Sequence, residues 1–397
     1  MSIRKREWTR KGEARSAWLV DYRDQSGARR AKQFARKKDA EAFETQTLWE
    51  VRKGTHTADS QSITVAKAGE NWLARGRREG LEDSTLDAYS QHLELHIEPQ
   101  LGAKKLNQLS KPMIEEFRDW LLDNGRSKAM AKRVLGSLTA LIKEAERVGY
   151  VAQNVAKGVT VKRSGREKPR VVPPTKEQIR ALLAAAGDEK ARPIDLPMLM
   201  TFLFVGLRAS ELRGLPWRNV DLNNGKLTVD QRADRKNAIG PPKSASGFRT
   251  IPMVPGLVAE LRKWKLRCPP SKLDLVFPSN RGTPIFHANL VLGFQEPLQA
   301  RARLVEPWIR NGKPATDEDG EPLTKGIFTL HDFRHACASL WIEQRVAPKR
   351  VQTWMGHHSI QVTFDTYGHL FEALEDDTAT MAAMEASVLG TTDGVVT

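Results

Sequence analysis

Five segments between residues 206 and 370 set charged and nucleophilic side chains beside apolar anchors. They are Gly206-Leu207-Arg208-Ala209-Ser210-Glu211-Leu212, the stretch from Lys243 to Arg249, His331-Asp332-Phe333-Arg334-His335, Met355-Gly356-His357-His358-Ser359-Ile360, and Thr363-Phe364-Asp365-Thr366-Tyr367-Gly368-His369-Leu370. Taken singly, each has a plain explanation. Arg208 and Glu211, at i and i+3, can form a helix-surface ion pair. His331 and Arg334 share a helical face as a surface cluster, and a lone tyrosine such as Tyr367 usually packs half-buried with its hydroxyl partnered. His331 and His335, at i and i+4, have the spacing of a zinc pair. Against that, position 332 is Asp where the metallopeptidase motif has Glu, and Arg334 would bring its charge close to both imidazoles. The whole chain is basic as well: Lys plus Arg number 63 against 48 acids, a net charge of +15 with a pI near 9.8. That balance favours a polyanionic partner, nucleic acid first. Residues 371–397 hold six acids and neither Lys nor Arg, so the remainder carries +15 + 6 = +21.

In this combination and order, the five segments resemble the catalytic domain of the tyrosine recombinases, the phage-integrase family of site-specific DNA recombinases. The resemblance implies Arg208 as the family's first arginine, His331 and Arg334 as its His-x-x-Arg, and His357 as its second histidine. It places the nucleophile at Tyr367. It places the hairpin lysine at Lys243, in Pro-Pro-Lys-Ser ahead of Phe248-Arg249-Thr250-Ile251-Pro252, with Lys236 and Lys226 in the same region. Met355 stands where Leu is usual, a volume-conserving exchange. Tyr367 lies one position further from His357 than is common, with no other tyrosine nearby.

The roles so implied form a consistent chemistry. Arg208 and Arg334 would clamp the non-bridging oxygens of a pentacovalent phosphorus with planar, fixed donors. His331 would assist Tyr367, whose phenol, with an ordinary pKa of about 10, is a poor nucleophile at neutral pH. His357 would donate to a phosphate oxygen, and Lys243 would protonate the departing 5′-hydroxyl. A 3′-phosphotyrosyl intermediate keeps the bond energy for rejoining, so no cofactor, metal or nucleotide triphosphate is expected, in keeping with the lack of a Walker-type glycine loop. The implied partners are double-stranded DNA attachment sites, a homo-tetramer in the synaptic complex, a directionality factor and a host DNA-bending protein. Two neighbouring functions share these features: relaxation of supercoils in the manner of type IB topoisomerases, and non-catalytic DNA-binding regulation on the same fold.

The elements that must position these residues suggest an α+β chain, mainly helical, with a small N-terminal sheet and a mixed catalytic domain. Residues 1–57 read as a sheet followed by a helix. Trp18, Val20 and Tyr22 alternate before the turn Asp24-Gln25-Ser26-Gly27, a return strand ends near Phe34, and a helical stripe stops at Gly54. Arg29, Arg30, Lys32 and Arg36 lie on or just after that return strand, so residues 1–57 are expected to bind arm-type DNA sites through a row of cations. Residues 62–157 read as a helical core-binding, SAM-like domain, with a capping box from Ser84 to Asp87, a helix opened by Ser110 and Pro112 and ended by Gly125, and a longer helix beyond it. Lys162, Arg163, Arg166, Lys168 and Arg170 fall in a basic linker, 158–174, expected to contact phosphates. Thr175 and Gln178 open the catalytic domain, 175–370, and residues 371–397 form an acidic tail. In that tail Phe371, Leu374, Met381, Ala382, Met384 and Val388 suggest docking between protomers.

Only Cys268 and Cys337 are present, too few for a disulfide framework. The charged N-terminus lacks the apolar run of a secretory signal. Leu196 to Leu207 is shorter than the roughly 20 residues that span a bilayer and reads as a buried helix. A cytoplasmic protein acting on DNA, with no membrane partner, is expected.

Overall fold

The structure is a computed structural model that describes residues 1–10, 13–24, 27–162, 171–310, 313–372 and 377–389. It divides into two compact units, 1–167 and 168–397.

The first unit opens with an antiparallel sheet in the order β1-β2-β3, formed by Ser2–Arg10, Glu13–Arg23 and Arg29–Phe34. The expected hairpin between β2 and β3 is present: Asp24 accepts from the Ala28 amide, and Gly27 takes the left-handed conformation its turn requires. The pairing of β1 from Ser2↔Asp21 to Arg10↔Glu13 is not visible in the sequence. Its run Arg4-Lys5-Arg6-Glu7 masks any alternation, as suits a charged edge strand. Helix α1, Lys37–Lys53, lays Phe43 against Tyr22 and Phe34 at 5.7 and 5.1 Å between ring centres.

Four more helices follow in this unit: α2 Val65–Arg78, α3 Asp83–His92, α4 Glu98–Leu101 and α5 Lys111–Asp123, then the long α6 Lys128–Val148. Leu93, Ile97, Ile114, Phe117, Leu121 and Leu138 form the buried centre. Ser110 and Ser127 cap α5 and α6 by accepting from Met113 and Met130. The capping box expected at Ser84 is not formed: α3 begins after Glu82 with no side-chain cap, and the Ser84 hydroxyl turns to the Glu82 carboxylate instead. Between α3 and α4 a π turn spans Leu93–Ile97, just before Pro99. Proline has no N–H to donate and its ring cannot sit against the carbonyl four residues back, so the helix widens. The sheet module is joined to the helices by side chains: Asn107 donates to the Thr57 carbonyl at 3.0 Å and to Asp59 at 2.7 Å, while Asp59 also pairs with Lys32 at 2.6 Å.

The second unit starts with α7, Lys176–Ala186, behind the capping box that Thr175 and Gln178 make. The apolar helix α8, Asp195–Val205, follows and packs Met198, Phe202 and Leu203 into the core against Phe294 and Phe333. After the short α9, Ala209–Arg213, come β4 Val220–Asp221 and β5 Lys226–Val229, then a hairpin of β6 Arg232–Ala233 and β7 Ile239–Gly240, then β8 Arg249–Pro252. The sheet order is β4-β5-β8, so β6 and β7 form a separate ribbon inserted between two paired strands. Helix α10, Pro255–Lys265, buries Leu257 and Leu261. Helices α11, His287–Leu290, and α12, Glu296–Arg301, flank a second π turn that again precedes a proline, Pro297.

A nested pair of ribbons comes next: β9 Val305–Pro307 pairs with β12 Thr324–Gly326, around β10 Ile309–Arg310 and β11 Lys313–Pro314. The chain then runs through α13 Leu330–Glu343, α14 Pro348–Met355, α15 Ile360–Glu372 and α16 Asp377–Leu389. The architecture is therefore mainly helical with small antiparallel sheets. Among the described residues, no helix is long and apolar enough to cross a membrane.

Candidate active site

Gly206 ends α8 with φ at 68°, a left-handed turn, and two residues later Arg208 caps α9 in extended conformation. This break between two helices aims the Arg208 side chain away from the buried stripe of α8. Its main-chain N–H donates to Glu211 Oε2 at 2.8 Å, Nη1 donates to Glu211 Oε1 at 2.8 Å, and Nη2 donates to the Gly356 carbonyl at 3.0 Å. The expected Arg208–Glu211 pair is thus present, but Glu211 is buried rather than on the surface. Its carboxylate also takes two bonds from Arg249, at 3.0 and 2.8 Å, and Arg249 in turn donates to the carbonyls of Trp354 and Gly247. Burial alone would raise the Glu211 pKa; the Arg249 bonds and the charges of Arg249, Arg334 and Arg208 outweigh it and hold the carboxyl well below its usual range. One buried carboxylate therefore braces two guanidiniums.

Arg334 lies on α13, 1% exposed, and donates to the carbonyls of Gly206 and Met355, the ends of α8 and α14. Burial first, then neighbouring Arg208, lowers its pKa to about 9, which leaves it cationic at neutral pH. His331 sits one turn earlier, reaching solvent on one side while its ring packs toward His335 on the other. Gly356 closes α14 in the left-handed conformation, and His357 follows it with Nδ1 2.9 Å from the buried Thr363 hydroxyl. Tyr367, 1% exposed on α15, has its ring nearly parallel to that of His357, 6.4 Å between centres. Its hydroxyl lies 2.7 Å from Nδ1 of His335. The His335 ring stands edge-on to His331 at 4.6 Å. Arg208, His331, Arg334, His357 and Tyr367 are therefore gathered into one cluster from four elements.

The cluster shifts its own titrations. His357 and His331 are both pushed below the ordinary imidazole range. Withdrawal from water is the main cause for each, followed by Arg334 and Arg208 at His357 and by His335 and Arg334 at His331. Burial raises the Tyr367 phenol above its ordinary value, with Arg334 pulling the other way.

Lys243 is exposed in the loop between β7 and the turn Ala245–Gly247. That loop borders the His357 turn, since a Cβ placed on Gly356 would lie 3.0 Å from the Ser246 carbonyl. Lys236 lies in the β6–β7 turn and Lys226 opens β5. Arg249 and Thr363, both bound into the site, fall inside the quoted segments but were given no role there, and Glu211 was marked only as a surface partner of Arg208. His335 was visible there only as half of a zinc pair. Among the described residues, no group of three or more His, Cys, Asp or Glu is placed to hold a metal ion.

The DNA-contact candidates lie elsewhere. Alternation along β3 leaves Arg30 and Lys32 half-buried, where they pair with Asp24 at 2.8 Å and Asp59 at 2.6 Å. Arg29 is exposed, with its guanidinium 3.7 Å from Asp21. Arg36 is exposed ahead of α1, and Lys162 is exposed as well. Arg163, Arg166, Lys168 and Arg170 lie outside the described residues.

Sequence and fold comparisons agree with this architecture. The profile of the phage integrase family matches residues 174–373, and that of the phage integrase N-terminal SAM-like domain matches residues 64–122. The chain is 25% identical to a tyrosine recombinase XerC-like protein of Caldanaerobacter subterraneus subsp. tengcongensis over 384 residues, 88% of this chain and 90% of the relative. In fold it is similar to the Tn1549 transposon integrase in complex with transposon right end DNA, with a TM-score of 0.64 at 21% identity, covering 82% of this chain and 99% of the other. It is also similar to a lambda integrase tetramer bound to a Holliday junction, with a TM-score of 0.55 at 18% identity over 89% of this chain and 95% of the other. With the family profile covering half its length and the expected residues gathered in the matched part, the chain belongs to the phage integrase family, the tyrosine recombinases.

Proposed function

We propose that this site-specific recombinase cuts and rejoins duplex DNA at the attachment sites of a phage or mobile element, through a covalent bond between Tyr367 and a 3′-phosphate. The observation that carries this reading is the setting of Tyr367, a phenol beside Arg334 and between two histidines, His335 and His357. Arg208 commits two of its donors to Glu211 and Gly356 and is 38% exposed at the side chain, so it can offer others to a phosphate. Arg334 adds positive charge from beneath in a water-poor setting, where such charge acts most strongly on a phosphorane. His331 and His357, held neutral, can donate to phosphate oxygens without repelling the arginines. Lys243, on the loop bordering His357, serves as the acid for the leaving 5′-hydroxyl.

The resemblance of fold to the lambda integrase tetramer supports assembly of four copies at synapsis. In this reading residues 1–57 contact arm DNA through exposed cations such as Arg29 and Arg36, residues 62–157 form the core-binding domain, 158–174 the linker with its phosphate-contacting cations, 175–370 the catalytic domain, and 371–397 the tail. A directionality factor and a host DNA-bending protein complete the assembly.

Tyr367→Phe removes only the attacking hydroxyl. It should bind its site with unchanged affinity and form no covalent complex on a nicked suicide duplex. A covalent adduct with the Phe variant would show that another residue attacks.

A further inference from the structure

The hydrogen bond between Tyr367 and His335 has no place in the roles derived so far. A phenol that attacks phosphorus must lose its proton as the O–P bond forms, and a base must be within reach to take it. His331, which the motif reading put in that role, offers its ring to the edge of His335 at 4.6 Å, whereas His335 Nδ1 is the atom 2.7 Å from Tyr367 Oη. We propose that His335 is a further catalytic residue, whose Nδ1 takes the phenolic proton of Tyr367 during strand cleavage and returns it during rejoining. The proposal rests on the reading of Tyr367 as the nucleophile.

The step balances without any co-reactant. In cleavage the phenolic O–H breaks, its proton passes to Nδ1 to give an imidazolium, Oη bonds to phosphorus, and the P–O5′ bond breaks with the 5′-oxygen protonated by the acid across the site. Rejoining reverses each event: the incoming 5′-hydroxyl attacks, and the departing phenolate recovers its proton from His335. For Nδ1 to accept, the ring must be neutral with its hydrogen on Nε2. The surroundings favour that form, since partial burial lowers the His335 pKa; Asp332 on the same helix acts against this and Arg334 with it. The charged and titratable groups facing the ring are His331, Asp332 and Arg334 from α13 and Tyr367 from α15. The same burial that keeps His335 neutral makes the phenol reluctant to ionise by itself, so a directly bonded base has much to supply.

A purely positional role would need only an acceptor at the same place, and His335→Asn separates the two. An amide oxygen can occupy the region of Nδ1 and accept the hydrogen bond, but it cannot hold a proton. The probe is a nicked suicide duplex carrying the site mapped by sequencing DNA ends covalently attached to the wild-type chain, and the readout is the single-turnover rate of phosphotyrosine formation. His335→Asn should bind this duplex as the wild type does and cleave it about 10²- to 10³-fold more slowly. The break that ends the acidic limb of the wild-type pH profile should disappear, leaving a rate that keeps rising with hydroxide. A duplex with a 5′-bridging sulfur needs no acid for its leaving group, so it should rescue Lys243→Ala and leave His335→Asn slow.

Should the Asn variant bind poorly, His335→Ala with added imidazole decides the matter: recovery of rate with imidazole supports proton transfer. A His335→Asn rate within about threefold of wild type with that break intact, or His335→Ala slow and indifferent to imidazole, overturns the proposal. Failure of the underlying reading looks different, since Tyr367→Phe would then still become linked to DNA.

Discussion

At the scale of single residues, the site is held by buried charge whose protonation is settled by neighbours. His357 and His331 carry pKa values below the ordinary imidazole value of about 6.5. Over the interval beneath that value the unfolded chain binds more protons than the folded one, so stability falls as pH falls. The Glu211 carboxyl acts with the same sign but lower down. Its contribution is present above the ordinary carboxylate range and is lost only as pH drops toward about 2. Thermal unfolding followed from about pH 7.5 to about 5 should therefore show a falling midpoint before any carboxylate titrates, and replacing His357 by Gln should flatten that slope. A midpoint insensitive to pH across this range would mean that the imidazoles titrate normally. The position of Glu211 also explains why a lysine at 208 or 249 would be a poor substitute, because the shared carboxylate is read by planar forks and an ammonium cannot reproduce them.

At the scale of elements, two left-handed glycines shape the site. Gly206 and Gly356 end α8 and α14, and Arg334 and Arg208 bind main-chain carbonyls at those ends. A Cβ at position 206 would meet Cys337 Sγ at 3.1 Å besides straining the backbone. Gly206→Ala should cost about 1–2 kcal/mol of stability from the left-handed conformation alone. It should also slow cleavage, because the carbonyl that receives Arg334 moves with the turn. Urea unfolding and single-turnover cleavage measured side by side check it, and an unchanged cleavage rate would show that the turn is not coupled to the arginine. The capped helices α5, α6 and α7 were readable because caps and periodicity are local. Strand β1 was not, since only its partner strand makes an alternation out of a charged run.

At the scale of the whole molecule, charge and the exposed apolar surface of α16 set expectations for assembly. Met381, Met384 and Val388 are 58%, 57% and 77% exposed on this helix, whereas Phe371, at the end of α15, packs against the cluster that holds Tyr367. Three apolar side chains left to water on one short helix favour docking on another protomer. Leu374 lies outside the described residues. Removing residues 373–397 should weaken pairing of two sites more than binding to one, and should leave the Tyr367 pocket folded. Gel-shift titration alongside a synapsis assay separates these, and equal losses would place the helix on its own chain.

The order of the chemical motifs, the mainly helical character, the end of α1 at Gly54 and the capped starts of α5 and α7 were determined by the sequence itself, because caps, prolines and apolar periods act within a few residues. The placement of Arg208 beside Glu211 was equally local, three residues apart on one turn. The tertiary structure decided that Glu211 is shared with Arg249 across 38 residues, that Arg208 reaches Gly356 across 148, and that the tyrosine hydroxyl meets His335 rather than His331. It also decided that Arg30 and Lys32 are paired with Asp24 and Asp59 instead of forming a cationic row with Arg29. Contacts of this kind depend on how α13, α14 and α15 pack and on which face of β3 meets α1. Spacing along the chain lists the groups available, and only packing selects which of them stand within a hydrogen bond of one another.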